Sequence, residues 1–241
     1  MALIRTQACI APGRGGWQAG GMEYVLYTDR RSGGAIVEIA LAEMGREAEL
    51  RPVPIERDGQ LDAAYRRINP MGRVPSLILP DGTVVTESLA ILLALEARHP
   101  EAGLLPAATD PARATALRWM TLAAAEIYPC VTRADYPERF SDDPAHAPAI
   151  RARAVSMAQE LWRLIAREAR PDPFILGERF SLADIPLAVM SRWMGAEAWM
   201  PREAPAIQAL ARAVALRPRA GAAWARHFDV PAAPGQGGPM P

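Results

Sequence analysis

The stretch from Asn69 to Leu92, NPMGRVPSLILPDGTVVTESLAIL, constrains the fold more than any other part of the chain. After a polar loop it contains a short apolar strand, Ser76 to Leu79, and a β-branched run, Thr83 to Val85. Asp81 and Gly82 lie between them and predict a tight two-residue turn. The stretch therefore predicts a β-hairpin whose exit leads directly into a helix.

Two features of this stretch suit a ligand. Pro75 lies between loop and strand, where we expect its peptide bond to be cis and the backbone of Val74 to be extended, with its N–H and C=O open to a peptide-like ligand. Glu87 and Ser88 lie at the start of the following apolar helix, where free N–H groups favour a carboxylate and the Glu side chain can bind an ammonium group. Together they suit an α-amino acid. An ordinary loop proline and an ordinary helix cap are the alternatives, and both interpretations remain open.

The composition excludes several classes of chemistry. The chain has 241 residues, half of them hydrophobic, and a formal net charge of zero, so nothing in its charge favours nucleic acid or an anionic membrane. Every basic residue apart from histidine is Arg. The absence of Lys excludes Schiff-base lysines, a phosphate-loop lysine and a lysine general base.

The cysteines and the chain ends indicate a cytosolic protein. Cys9 and Cys130 are far apart and belong to no CxxC pair, which leaves disulfide scaffolds, zinc sites and dithiol chemistry unsupported. No stretch has the length and apolarity of a signal peptide or a membrane span. We expect residues 1–21 to form a disordered extension, with Met22 as a candidate start, and 230–241 to form a flexible tail.

The pattern along the chain predicts two domains. Residues 22–99 read in the order strand, helix, strand, helix, hairpin and helix, which describes a thioredoxin-like sheet. Residues 100–110 are rich in Pro, Gly and Ala and form the predicted linker. Residues 111–229 show only helical patterns, including the capped segment FSLADIPLA, in which Ser181 is the predicted N-cap and Asp184 its capping-box partner. The fold class is therefore α/β thioredoxin-like at the N-terminus and all-α at the C-terminus.

The segments GRVPSLIL, DGTVVTESLAIL and FSLADIPLA resemble the core motifs of the glutathione transferase superfamily, and the resemblance extends over about residues 24–228. It implies that glutathione is a co-substrate. Val74, before Pro75, looks like the residue whose backbone pairs with the cysteinyl unit of glutathione. Glu87 and Ser88 look like the pair that binds the γ-glutamyl end, and Arg73 is placed to meet a ligand carboxylate.

The resemblance also implies that a hydroxyl near the end of the first strand stabilises the glutathione thiolate. Ser32, just before the first helix, is the first candidate and Tyr27 the second. The alternatives are that Ser32 is only a helix cap and Tyr27 only a strand residue, and these remain open. A second-substrate pocket is expected between the domains, with Trp119, Tyr128 and Tyr136 as its aromatic residues. The scattered histidines give no support for a metal site.

The leading prediction is a cytoplasmic glutathione transferase that joins the glutathione thiolate to a small hydrophobic electrophile. Members of this superfamily also act as isomerases or as proteins without catalytic activity, so two alternatives stay open. One is a zeta-like glutathione-dependent isomerase, although the loop RRSGG lacks the serine and cysteine pair of that class. The other is a non-catalytic ligand-binding protein. A homodimer is expected from the resemblance, with no nucleic-acid or membrane partner.

Overall fold

The computed structural model describes residues 24–231. The first part contains strands β1 Tyr24–Thr28, β2 Ala48–Pro52, β3 Ser76–Ile78 and β4 Val84–Thr86, and helices α1 Gly34–Glu43, α2 Ala63–Arg66 and α3 Ser88–Arg98. The strand order is β2-β1-β3-β4, with β1 and β2 parallel and the other neighbours antiparallel. This β-α-β unit followed by a hairpin and a helix confirms the predicted thioredoxin-like sheet.

The second part is mostly helical. Its helices are α4 Pro111–Leu122, α5 Tyr128–Asp135, α6 Ala147–Ala169, α7 Asp184–Met190, α8 Ala196–Glu203, α9 Pro205–Ala215 and α10 Ala220–Ala225. No helix within 24–231 is long and apolar enough to cross a membrane. The predicted domain boundaries stay predictions. Met22, the extension 1–21 and all but the first two residues of 230–241 lie outside the described residues.

Helix α1 is the centre of the molecule. Its sequence, GAIVEIALAE, is apolar on almost every side, and a helix of that kind is stable only when it is buried all round. It packs against β1 and α3 of its own domain and against α7 and α10 of the helical part. At its first residue, Gly34, a Cβ would overlap the Thr28 side chain, so glycine permits the close approach of α1 to β1.

The hairpin turn is one residue longer than the predicted two. Ile78 pairs with Val84, and the Leu79 N–H donates to the Thr83 carbonyl at 2.8 Å, which leaves Pro80, Asp81 and Gly82 in the loop. Gly82 has a φ of +84°, a conformation that glycine adopts at little cost. The Asp81 carboxylate accepts the Thr83 N–H at 2.9 Å and stabilises this three-residue form.

Helices α4 and α5 are joined without a break by a π-helical segment, Ala123–Ile127. In this segment the Tyr128 N–H donates to the Ala123 carbonyl, five residues back. Pro129 follows and has no N–H to continue the α-helical ladder, which is a physical reason for irregular hydrogen bonding here. The sequence predicted only helical patterns in this part of the chain, without the bounds of this helix. The structure continues it to Asp135.

The predicted contacts between Ser181 and Asp184 are present, but α7 begins at Asp184, so Ala183 and not Ser181 occupies its N-cap position. The Asp184 carboxylate accepts the Ser181 N–H at 2.7 Å and the Ser181 hydroxyl at 3.1 Å, while the Ser181 Oγ accepts the Ala183 N–H at 3.3 Å. Asp184 also accepts the Ile175 N–H at 2.7 Å. The carboxylate therefore joins the start of α7 to the preceding loop.

Two regions differ from the predicted elements. The second helix of the order predicted for residues 22–99 is a 3₁₀ turn, Gly59–Leu61, followed by the single-turn α2. Helix α8 was not predicted, because it is short and carries Pro201, which normally indicates the end of a helix.

Candidate functional site

Two adjoining depressions lie where the sheet domain meets the helical part. The larger, called here the cleft, has a volume of about 1050 Å³. The smaller, called here the side pocket, has a volume of about 240 Å³. Arg73, Val74, Tyr128 and Thr132 line both, so the two spaces are continuous at these residues.

The side pocket brings together all of the predicted binding residues: Arg73, Val74, Pro75, Glu87 and Ser88. The Val74–Pro75 peptide bond is cis, as expected. The sequence placed these residues on a loop and on the start of a helix, and the hairpin between them returns the chain so that both ends face one space. The opposite wall comes from the π-helical segment and α5 of the helical part.

The loop that carries Val74 is held rigidly from behind. The Arg73 carbonyl accepts hydrogen bonds from the Tyr65 hydroxyl at 2.6 Å and from the Asn69 Nδ2 at 2.7 Å. The Tyr65 hydroxyl also contacts the Ser76 Oγ at 2.8 Å. Tyr65 is a supporting residue that the sequence analysis missed, because its contact depends on how α2 packs against β3.

Glu87 has an unusual backbone conformation. It precedes the first residue of α3 with φ +66° and ψ +118°, and its side chain is exposed and makes no hydrogen bond to the helix start. A side chain at positive φ is costly unless its environment requires it. The carboxylate is therefore directed to the side pocket instead of capping α3, and the free N–H groups of Ser88 and its neighbours remain at the positive end of the helix dipole.

Ser32 lines the cleft, but its hydroxyl is used within its own loop. Its Oγ donates to the Asp29 carbonyl at 2.7 Å and accepts the N–H groups of Asp29 at 3.2 Å and Gly34 at 3.1 Å. The single hydroxyl proton is therefore already committed. This geometry favours the interpretation of Ser32 as a residue that shapes the loop before α1.

Tyr27 lines neither the cleft nor the side pocket. Its hydroxyl accepts a hydrogen bond from the Arg51 Nη1 at 2.9 Å, and its ring lies 5.6 Å from that of Tyr65. The predicted catalytic role for Tyr27 is thus at odds with its position. In a strand, successive side chains point to opposite faces, and Tyr27 is on the face that carries Arg51 and Tyr65.

The three aromatic residues predicted for the second-substrate pocket separate in the structure. Trp119 is only 1% exposed and belongs to the core, so its predicted place in the pocket is corrected. It lies on the inward stripe of α4 under Arg118, whose guanidinium is 4.4 Å from the ring centroid. Tyr136 lines the cleft beneath Arg139, at 3.9 Å, and Tyr128 lines both spaces.

Tyr128 is the side chain at the junction of the two spaces. A Cβ at Gly33 would lie 2.5 Å from the Tyr128 hydroxyl oxygen and 3.2 Å from the Pro75 Cδ. The ring packs edge-on against Trp193, with centroids 5.5 Å apart. Burial raises the pKa of Tyr128 strongly, and the negative charge of Glu87 raises it further, so the hydroxyl stays protonated.

A buried histidine supports the loop before α1 from the other side. The Arg31 N–H donates to the Nδ1 of His227 at 3.1 Å, and the His227 Nε2 is 2.7 Å from the Glu38 carboxylate. Because Nδ1 accepts, Nε2 carries the proton and donates to Glu38. Arg31 has a φ of +61°, so this contact holds a strained residue. From the sequence alone, His227 was only one of three scattered histidines.

The cleft carries more positive than negative charge. Six arginines line it, namely Arg30, Arg31, Arg57, Arg73, Arg139 and Arg192, against the four acidic residues Asp29, Glu56, Asp135 and Glu197. Asp29 is engaged as an anchor, since its carboxylate accepts the backbone N–H groups of Arg30 and Ile55. Among the described residues no group of side chains has the makings of a metal site.

Comparisons with known proteins agree with this architecture. The sequence model of the "Glutathione S-transferase, N-terminal domain" matches residues 35–98. The chain is 30% identical over 159 residues to glutathione S-transferase GstA of Escherichia coli O157:H7, covering 64% of this chain and 74% of that protein. It is 39% identical over 108 residues to maleylacetoacetate isomerase of Pseudomonas aeruginosa, which covers 43% of this chain and 50% of that protein.

A solved structure extends the similarity to the whole fold. A glutathione transferase homologue from Sulfitobacter, crystallised with bound glutathione, superposes with a TM-score of 0.78 at 27% identity, covering 83% of this chain and 96% of that one. The relationship thus includes the helical part as well as the sheet domain. The chain belongs to the glutathione S-transferase family.

Proposed function

We propose that this protein is a glutathione transferase that holds glutathione in the side pocket and conjugates it to a small hydrophobic electrophile. The observation that carries the proposal is the convergence of Arg73, Val74, Pro75, Glu87 and Ser88 on one pocket. The similarity to GstA and to the glutathione-bound Sulfitobacter homologue supports it.

The residues of the side pocket match the groups of the tripeptide. The Glu87 carboxylate suits the γ-glutamyl ammonium group, and the N–H groups at the start of α3 suit its α-carboxylate. The Val74 backbone suits the cysteinyl unit, and the arginines of the cleft suit the glycyl carboxylate. The thiol then lies at the junction of the two spaces, close to the start of α1.

Bound glutathione supplies a sulfur nucleophile. Its thiol proton goes to solvent, a sulfur lone pair forms the new carbon–sulfur bond, and the leaving group departs with the electrons of its own bond to carbon. The chain contributes orientation, a hydrogen-bond donor for the sulfur and a cleft for the second substrate. The cleft wall contains Tyr136, Val131, Ile55 and Met194, which suits a mostly apolar compound.

A glutathione-dependent isomerase is the second candidate, favoured by the similarity to the Pseudomonas aeruginosa isomerase. The loop Arg31-Ser32-Gly33 lacks the cysteine of the zeta-like pattern, which favours transfer over isomerisation. Mass spectrometry separates the two: a transferase consumes glutathione and gives a thioether adduct, whereas an isomerase returns glutathione unchanged. A non-catalytic protein gives neither product.

Calorimetric titration tests the binding site directly. We expect glutathione to bind the wild-type protein, and Glu87→Gln to weaken binding about tenfold or more, because a charge-assisted hydrogen bond is lost. Glu178→Gln, which changes an exposed carboxylate outside both spaces, is the matched control and should bind as the wild type does. Absence of binding to the wild type at millimolar glutathione would contradict the proposal.

The assembly and location are inferred from the family. We propose a homodimer in the cytoplasm, and light scattering checks the first part: a mass near twice the 26.1 kDa of the chain is expected. A monomer would contradict it.

A further inference from the structure

We propose that the Tyr128 hydroxyl, contributed by the helical part, donates the hydrogen bond that stabilises the glutathione thiolate. This inference rests on the proposed function and assigns the donor, for which the sequence offered Ser32 and Tyr27.

The Tyr128 hydroxyl lies close to the start of α1. Gly33 is the last residue before α1, and the Tyr128 hydroxyl oxygen lies 2.5 Å from where its Cβ would be. Tyr128 lines the side pocket together with Val74 and Pro75, the residues expected to hold the cysteinyl unit, and the Pro75 Cδ lies 3.2 Å from the same Cβ position at Gly33. The hydroxyl therefore occupies the space that a side chain at Gly33 would fill, and a thiol that extends from the cysteinyl unit toward α1 lies next to it.

Availability is the second argument. Among residues 24–231 the Tyr128 hydroxyl has no hydrogen-bond partner. The Ser32 hydroxyl, by contrast, already donates its hydrogen bond to the Asp29 carbonyl, and Tyr27 lines neither space. Because Tyr128 is only partly buried and lines both spaces, its hydroxyl can donate to an acceptor that binds there. The charged and titratable groups that act on Tyr128 are Glu87, Arg73, Tyr136 and Asp135. Burial and Glu87 keep the hydroxyl protonated, which is the state a donor requires.

The local backbone explains how the side chain reaches this place. Tyr128 is the residue whose N–H closes the π-helical turn before Pro129, and the extra residue in that turn rotates it relative to a regular α-helix. The edge-on contact with Trp193, with ring centroids 5.5 Å apart, then restricts the orientation of the ring. Tyr128 is thus a catalytic residue that only the joined domains can place.

The chemistry involves no proton transfer from Tyr128. The thiol proton goes to solvent when the thiolate forms, and the Tyr128 O–H donates to the sulfur while remaining bonded to its own hydrogen. A donor of this kind favours the thiolate over the thiol and lowers the thiol pKa.

The test is an ultraviolet titration of bound glutathione, which reads the thiolate absorbance as a function of pH without requiring turnover. We expect Tyr128→Phe to raise the thiol pKa by about one unit, equivalent to tenfold less thiolate at a pH below both values. Tyr24→Phe, which removes a buried hydroxyl that bonds to His99 far from both spaces, is the matched control and should leave the thiol pKa unchanged. Ser32→Ala should have a smaller effect than Tyr128→Phe.

A second variant displaces the hydroxyl without removing it. Gly33→Ala places a methyl group 2.5 Å from the Tyr128 oxygen, which must move, whereas the Pro75 Cδ at 3.2 Å needs only a small shift and the Tyr128 ring carbon at 3.4 Å is in ordinary contact. We therefore expect Gly33→Ala to raise the thiol pKa in the wild-type background and to add nothing in the Tyr128→Phe background.

The outcomes separate the two proposals. If glutathione binds and Tyr128→Phe leaves its thiol pKa unchanged, the assignment of Tyr128 is overturned and the proposed function stands. If Ser32→Ala raises the thiol pKa as much as Tyr128→Phe was expected to, Ser32 is the donor. If the wild-type protein does not bind glutathione, both proposals fail.

Discussion

At the residue scale, Glu87 shows how a binding site and local stability can oppose each other. Its φ of +66° is unfavourable for a residue with a side chain, and the structure gives it no capping hydrogen bond in return. The conformation keeps the carboxylate exposed at the side pocket. Residues held in such conformations are frequent at binding sites, where ligand contacts offset the cost.

This opposition predicts different outcomes for two substitutions. Glu87→Gly should raise the free energy of unfolding by about 1 kcal/mol, because glycine adopts positive φ readily, and should abolish measurable glutathione binding. Glu87→Gln keeps the strained backbone, so it should weaken binding without stabilising the protein. Urea unfolding and calorimetric titration of both variants provide the measurements. Wild-type affinity in Glu87→Gly would show that the carboxylate is not part of the site.

The residues of this site differ in how far sequence alone could find them. Val74, Pro75, Glu87 and Ser88 lie within one continuous run of turn, strand and helix signals, so local chemistry and a family resemblance were enough to group them. Tyr128 could be predicted for the second-substrate pocket, but its contact with Gly33 could not be predicted. Its position depends on a π-helical turn and on the missing side chain at Gly33, which no local pattern reveals.

At the element scale, α7 is the helix whose start is most firmly specified. Asp184 is completely buried and accepts three hydrogen bonds, two from backbone N–H groups and one from the Ser181 hydroxyl. Its sequence signal, Ser181 followed three residues later by Asp184, predicted the contact between these two residues correctly but placed the N-cap two residues too early. Helices α8 and α2 were harder to predict from the sequence. Pro201 within α8 normally indicates the end of a helix, and α2 is a single turn with too few residues to show a helical pattern.

Asp184 also predicts a pH dependence of stability. Burial raises its pKa in the folded protein to about 6, above the ordinary value of 3.8. Between about pH 4 and pH 6 the folded state therefore binds more protons than the unfolded state, so the contribution of this group to stability grows as pH falls through that window and is lost as pH rises. The full effect is about 3 kcal/mol.

Urea unfolding of the wild type and of Asp184→Asn at several pH values measures this contribution. The variant should be less stable overall, since Asn replaces one carboxylate oxygen by an NH2 group and can accept only one of the two N–H groups, that of Ile175 or that of Ser181. The free energy of unfolding of the variant should also change less with pH between about pH 4 and pH 6, because the contribution of Asp184 is missing. The contribution of exposed carboxylates such as Asp81 remains in both proteins. Identical slopes would mean that Asp184 titrates normally in the folded state.

At the scale of the whole molecule, buried charges fix the C-terminal helices against α1. Glu43 binds the Arg217 Nη2 at 2.7 Å and the Ala220 N–H at 3.0 Å, while Glu38 binds Arg226 and His227. Both glutamates lie in α1 and both are almost completely buried. The fold class was predictable from the order of strand and helix patterns, whereas these contacts join residues more than 170 positions apart and have no local signal.

His227 is the member of this network that reaches the site, and it acts there as a positioning residue. It links Glu38 in the centre of the molecule to the N–H of Arg31, which belongs to the loop that carries Ser32 and Gly33. The two ring nitrogens make different hydrogen bonds: Nδ1 accepts from the Arg31 N–H and Nε2 donates to the Glu38 carboxylate. A substitution can remove one of these hydrogen bonds while it keeps the other.

His227→Gln places an amide near the position of Nε2 and removes the acceptor for Arg31, whereas His227→Asn keeps an acceptor near Nδ1 and removes the donor to Glu38. We expect the His227→Gln variant to speed hydrogen exchange of the Arg31 amide about five- to tenfold, because one hydrogen bond to this amide is lost, and to lower kcat/KM. The His227→Asn variant should keep the exchange rate of the Arg31 amide and kcat/KM close to wild type. It should lower the free energy of unfolding by about 1 kcal/mol or more, because Glu38 is left with Arg226 alone. Equal exchange at Arg31 in both variants would show that His227 stabilises the domain interface without organising the loop.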